Sequence, residues 1–183
     1  MDRAEHPHGS KNLLPSQVLI LGIGNPIRGD DGVGLTIIRH LHLLRLENVH
    51  LKFSQQLELE QVEEWKEYTR ILIVDAQEGG DQVIVESIAT SPPNAISIGH
   101  DWNPSIMVAL MKKLYNTDTQ VDVCQIPTRN FEMRESISIW TEKKVEEAMI
   151  VILQWIHQAV YNHKETQVGH STKGRIRGNH PVG

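Results

Sequence analysis

LILGIGNPIRGDDGVG, residues 19–34, reads as a strand, a tight loop, an acidic pair and the start of a helix. Residues 18–23 form a short apolar run of the kind buried on both faces of a sheet, and the Gly, Asn and Pro cluster behind it stops the strand at a loop. Gly22 and Gly24 permit dihedrals or a close backbone approach that other residues resist, Asn25 and Pro26 turn the chain, and Asp30 is placed to cap a helix through a side-chain oxygen. From Asp31 to about residue 46, Val33, Ile37, Ile38, Leu41 and Leu44 recur at helical spacing, which predicts an amphipathic helix with one face on a sheet. Gly32 and Gly34 stand in its first turns, where glycine is unfavourable by about 1 kcal/mol relative to alanine. Another backbone or a substrate is therefore expected to come close there.

The alternation continues downstream. Residues 49–53 read as a second strand, and Leu59, Val62 and Trp65 mark one face of a second helix among glutamates. Residues 70–75, RILIVD, carry four consecutive apolar strand formers, as a central parallel strand covered on both faces requires. Residues 83–88 follow a short link containing Gly79 and Gly80, whereas a parallel crossover needs about a dozen residues, so this strand is expected to be antiparallel and at an edge. Asn103 caps a third helix with Pro104 at its first position, and Met107, Leu110, Met111 and Leu114 continue it. Residues 121–126, stopped by Pro127, are the last strand, and residues 141–161 carry Val145, Ala148, Met149, Ile152, Ile156 and Val160 on one helical face.

Strands alternating with helices imply the α/β class: a three-layer α/β/α sandwich around a mostly parallel, open, twisted sheet of about five strands with one antiparallel edge strand. The domain is expected to span 18–163, between a flexible N-terminal extension, 1–17, and a disordered tail, 164–183, too poor in large apolar side chains to offset its ordering entropy.

Composition narrows the function. An apolar fraction of 39% and a charged fraction of 22% are ordinary for a globular protein, and no apolar run reaches the roughly 18 residues of a membrane helix. The formal charge of -5 gives no general attraction to nucleic acid or an anionic membrane, which leaves a protein or small-ligand partner. The polar first 17 residues lack the apolar stretch of a secretory signal and Cys124 has no second cysteine to pair with, so a cytoplasmic location is expected. Most of the ten histidines lie in the polar ends or among the charges of 40–50, without common spacing, and read as solvated.

In open α/β sheets ligands sit beyond the carboxyl ends of the strands, here the loops after residues 23 and 75 and near residue 98. A dinucleotide loop is disfavoured, because Ile27 occupies the third glycine position of G-x-G-x-x-G and the Asp30 and Asp31 carboxylates would repel a pyrophosphate. Two adjacent carboxylates exceed the need of one cap, which makes Asp31 a functional candidate. Asp75 ends a buried strand where it faces the crevice, and His100 lies just before the Asn103 and Pro104 helix start. Two carboxylates and an imidazole from three loops at one sheet edge can make an open-sided site for a divalent metal such as zinc or nickel. The chain has no G-x-S-x-G elbow and no H-E-x-x-H helix, and Cys124, inside an apolar strand, reads as buried and inert.

Taken in order, GIGNPIRGDDGVG (22–34), LIVDAQ (72–77), GHDWNPS (99–105) and FEMRESIS (131–138) resemble motifs of the hydrogenase maturation endopeptidases, which trim the carboxyl terminus of the large subunit of nickel-iron hydrogenases. The likeness spans roughly residues 18–156, with Arg134 standing where glycine is common. It implies that Asp31, Asp75 and His100 are the metal-binding positions, that the divalent metal is the nickel already placed in the large-subunit precursor, and that no nucleotide is used. No catalytic residue is assignable beyond these ligands, and whether the metal polarises the scissile carbonyl, activates water or only docks the precursor stays open. Gln55, Gln56 and Leu57 resemble the histidine, glutamine and leucine of the branch serving bidirectional, NAD(P)-linked hydrogenases, with glutamine replacing histidine. Asn25, Gln56 and Leu57 are the substrate contacts this implies. The competing readings are a noncatalytic nickel-sensing chaperone for the same precursor and a nucleotide-binding domain.

Overall fold

The computed structural model describes residues 17–88 and 103–168. The strands are β1 (Val18–Ile23), β2 (Val49–Ser54), β3 (Arg70–Glu78), β4 (Ile84–Ser87) and β5 (Gln120–Thr128), and the helices are α1 (Val33–Leu43), α2 (Gln61–Trp65), α3 (Pro104–Tyr115) and α4 (Ile139–Val168). A 3-10 turn, Gly29–Gly32, precedes α1. Among the described residues the strands make one sheet in the order β2-β1-β3-β5-β4, parallel except for β4, which runs antiparallel on β5 at the edge as its short link requires.

The sheet separates two cores, and the strand period of two decides which side chain goes to which. Val18, Ile20, Leu72, Val74, Cys124 and Ile126 meet α1 and α4, through Val33, Ile37 and Leu41 of the first and Val145, Ala148, Ile152 and Ile156 of the second. Leu19, Leu21, Ile23, Ile71, Ile73, Val121 and Val123 meet Val62 and Trp65 of α2 and Met107, Val108 and Met111 of α3. Helices on both faces make the three-layer α/β/α sandwich, and they explain why every residue of β1 is buried. Full burial of each such aliphatic side chain contributes about 1.5–3 kcal/mol, which is what holds the layers together.

Several bounds differ from the sequence reading. β3 runs past Asp75 to Glu78, because its ladder with β5 continues to Glu78 opposite Thr128 and backbone pairing does not need apolar side chains. β5 includes Pro127, since the β4 ladder stops at Gln125 and leaves that edge free for a residue without an N–H. α4 continues to Val168; the first helix breaker after its start is Gly169. The expected extension, 1–17, and tail, 164–183, lie outside the described residues apart from Gln17 and 164–168. Among the described residues no helix is long and apolar enough to cross a membrane.

Candidate functional site

β2 flanks β1 on one side and β3 on the other, so the winding reverses between β1 and β3. Their ladder ends at Gly22 opposite Val74, while β3 continues along β5. Asp75 is thus the first β3 residue beyond the point where β1 peels away, at the mouth of the crevice that such a switch point opens.

Asp31 enters that rim from the 3-10 turn. Its Oδ2 accepts the backbone N–H of Asn25 at 2.9 Å, and Asn25 Oδ1 accepts from Ile27 N at 3.1 Å, which fixes the loop between β1 and the turn. Gly24 makes this possible: its φ is +130°, and a Cβ there would run into the Asp31 carbonyl. Asp75 Oδ1 accepts from Ala76 N at 2.8 Å. Each carboxylate therefore has one oxygen anchored by a backbone amide, while Asp31 Oδ1 and Asp75 Oδ2 have no hydrogen-bond donor among the described residues.

Burial raises the pKa of Asp75 above its ordinary 3.8, and the negative charge of Asp31 adds to the rise against the opposing Ala76 N–H bond. Two carboxylates sharing one field, each with an open oxygen, are a donor set suited to a divalent cation. Among the described residues no group of three or more His, Cys, Asp or Glu side chains is assembled for a metal, and His100, the third expected ligand, lies outside them.

Asp30 departs from its expected role. Gly32, not Asp30, is the N-cap of α1, without a side-chain cap. Asp30 is fully buried and turns the other way: Oδ2 accepts from Arg129 N at 3.2 Å, Asn130 N at 2.9 Å and Ser138 Oγ at 3.0 Å, and Oδ1 from Ser138 N at 2.6 Å. Burial pushes its pKa up, but these bonds together with Thr141 outweigh it and hold the carboxyl below the ordinary 3.8. The close approach expected at Gly34 is protein backbone rather than substrate: a Cβ there would meet Ile23 N at 2.7 Å and Val74 O at 3.0 Å.

Of the expected substrate contacts, Asn25 is half-buried beside Asp31 and Gln56 is exposed just past β2, whose Ser54 carbonyl accepts from Gly24 N at 3.2 Å. Leu57 is 9% exposed and packs in the α2 and α3 core. Cys124 is buried with its thiol pushed up to about 12, as an inert core residue should be. Sequence reasoning missed a polar network at the opposite rim, where Asp122 accepts from Arg70 Nη2 at 2.6 Å, Trp155 Nε1 at 2.7 Å and Ser87 Oγ. An aspartate interrupting the apolar run 121–126 was its only visible signal.

No protein-family model and no curated protein matches the chain. Solved structures do. The hydrogenase maturating endopeptidase HybD from E. coli superposes with a TM-score of 0.61 at 15% identity, over 78% of this chain and 93% of that one. The fold is that of the hydrogenase maturation endopeptidases. The [NiFe] hydrogenase maturation protease HycI from Thermococcus kodakarensis matches this maturation-endopeptidase fold with a TM-score of 0.59 at 20% identity, over 76% and 92% of the two chains. A hydrogenase 2 maturation peptidase from Thaumarchaeota archaeon does so at 0.58 and 15%, over 77% and 98%.

Proposed function

We propose that this chain is an endopeptidase that removes a carboxyl-terminal peptide from the nickel-loaded precursor of the nickel-iron hydrogenase large subunit, completing its maturation in the cytoplasm. The observation that carries the reading is the pairing of Asp31 and Asp75 at the β1 and β3 switch point, each with one backbone-anchored and one open oxygen. The likeness to maturation endopeptidases supports it.

On this reading the nickel is cargo of the substrate. Asp31 and Asp75 offer it hard anionic oxygens, with His100 as the third donor, and the amides of Asn25 and Ala76 orient those oxygens before the precursor arrives. Bound nickel supplies a Lewis acid next to the segment to be cut. Neutralisation of two mutually repelling carboxylates favours a metal-loaded precursor over an empty one, so the site discriminates by charge rather than by a deep side-chain pocket.

The test is incubation of the purified chain with nickel-loaded and nickel-free precursor, read by mass spectrometry. Loss of a carboxyl-terminal peptide from the loaded form alone is the expected result. Stable binding without cleavage would instead identify a nickel-sensing chaperone.

A further inference from the structure

We propose that Asp30 is the positioning residue of this site: it locks both ends of the 129–138 loop against the turn that carries Asp31, and so sets where the Asp31 carboxylate stands. The assignment rests on the endopeptidase reading.

Three observations carry it. First, the donors to Asp30 come from opposite ends of the loop, Arg129 and Asn130 at one end and Ser138 at the other, about a hundred residues away in sequence. A carboxylate needed only to cap a helix would use one acceptor, and the first turn of α4 already has its own cap, Ser138 Oγ accepting from Thr141 N at 3.2 Å. Second, the backbones run together around it: Gly29 N donates to Arg134 O at 2.8 Å, Asp30 N to Asn130 O at 2.8 Å and Arg134 N to Ile27 O at 3.0 Å. Third, among the described residues the Asp31 side chain is held by a single bond, from Asn25 N, so the direction of its other oxygen follows its own backbone, the next residue along from Asp30. An amide at position 30 would turn an NH2 toward N–H and O–H donors that now share two acceptor oxygens, and the turn must shift to relieve it.

Asp30→Asn is compared with wild type, Ser138→Ala and Trp155→Phe, the last removing a buried hydrogen bond at the opposite rim. Each is assayed well below its melting temperature, with circular dichroism reporting the fold. Positioning predicts that Asp30→Asn lowers kcat by about 10- to 100-fold with KM changed less than about threefold, since a displacement of about 1 Å costs roughly that much. Trp155→Phe should lower the melting temperature and leave kcat unchanged. A folded Asp30→Asn variant with wild-type kcat overturns the proposal. If that variant does not fold, Ser138→Ala decides: a clear fall in kcat supports positioning, and an unchanged kcat rejects it.

Amide hydrogen exchange needs no precursor and separates the two failures. Asp30→Asn, or Ser138→Ala in its place, should speed exchange at Gly29 and Arg134 relative to Trp155→Phe, whether or not the wild type cleaves. Unchanged exchange overturns positioning, whereas an inactive wild type with faster exchange in the variant overturns only the endopeptidase reading.

Discussion

The negative charge of Asp31 acts on Asp75 across the β1 and β3 switch point and, together with burial, raises the Asp75 pKa. The two residues lie 44 positions apart in sequence, in different elements, yet each is part of the other's electrostatic environment.

That relationship gives a pH-dependent prediction for the metal-free chain. A carboxyl whose folded pKa is raised binds its proton more tightly in the folded state; the stability it contributes is present below the unfolded value and is lost as pH rises through the folded one. At neutral pH ionised Asp75 therefore costs stability. Asp75→Asn keeps an acceptor for Ala76 N–H and should raise the melting temperature at about pH 7, with the gain shrinking as pH falls through the raised folded value and gone below about pH 4. Thermal melts across that range check it, and an equal or lower melting temperature at neutral pH would contradict it. The same variant should lose processing, so stability and activity move in opposite directions.

Gly34 offers a purely steric test. A Cβ at this position meets backbone of both β1 and β3, which cannot rotate away as a side chain can. Gly34→Ala should destabilise the fold by about 1–3 kcal/mol or more, despite alanine's better helix propensity, read as a lower urea midpoint. A stabilised variant would mean that helix propensity outweighs the contact.

Much of the fold was legible because its signals are local. Four apolar residues before Asp75 and a link too short for a crossover dictate a central strand and an antiparallel edge, and both are found. Asp31 and Asp75 were legible as a rim pair for a similar reason: the ends of parallel strands are set by topology, and topology follows from element order. The partners of Asp30 were not, because nothing in GDDG distinguishes a carboxylate facing its own helix from one facing a loop a hundred residues away. The burial of Leu57 was not legible either, because QQLELE (55–60) has no periodicity that reveals which way that side chain points. The Asp122 network was hidden in the same way.

That network predicts a separation of stability from function. Asp122 is buried and gathers Arg70, Trp155 and Ser87. Asp122→Ala leaves the guanidinium of Arg70, whose Nε already has no partner among the described residues, without its counter-charge. Arg70 is partly exposed and can regain some hydration, so losing its buried partner costs about 1–3 kcal/mol and the urea midpoint should fall. Because Asp122 stands at the rim away from Asp31, the protein that remains folded should keep its kcat; a selective loss of kcat would link the two rims.

The central claim is that Asp31, Asp75 and His100 act on nickel held by a precursor. Its most direct test is single-turnover cleavage of nickel-loaded hydrogenase large-subunit precursor by wild type, Asp31→Ala, Asp75→Ala and His100→Ala, followed by mass spectrometry of the released peptide. Release by wild type, with loss of at least about 100-fold in each folded variant, is the predicted result. Cleavage by a folded Asp31→Ala or Asp75→Ala variant at the wild-type rate would contradict it.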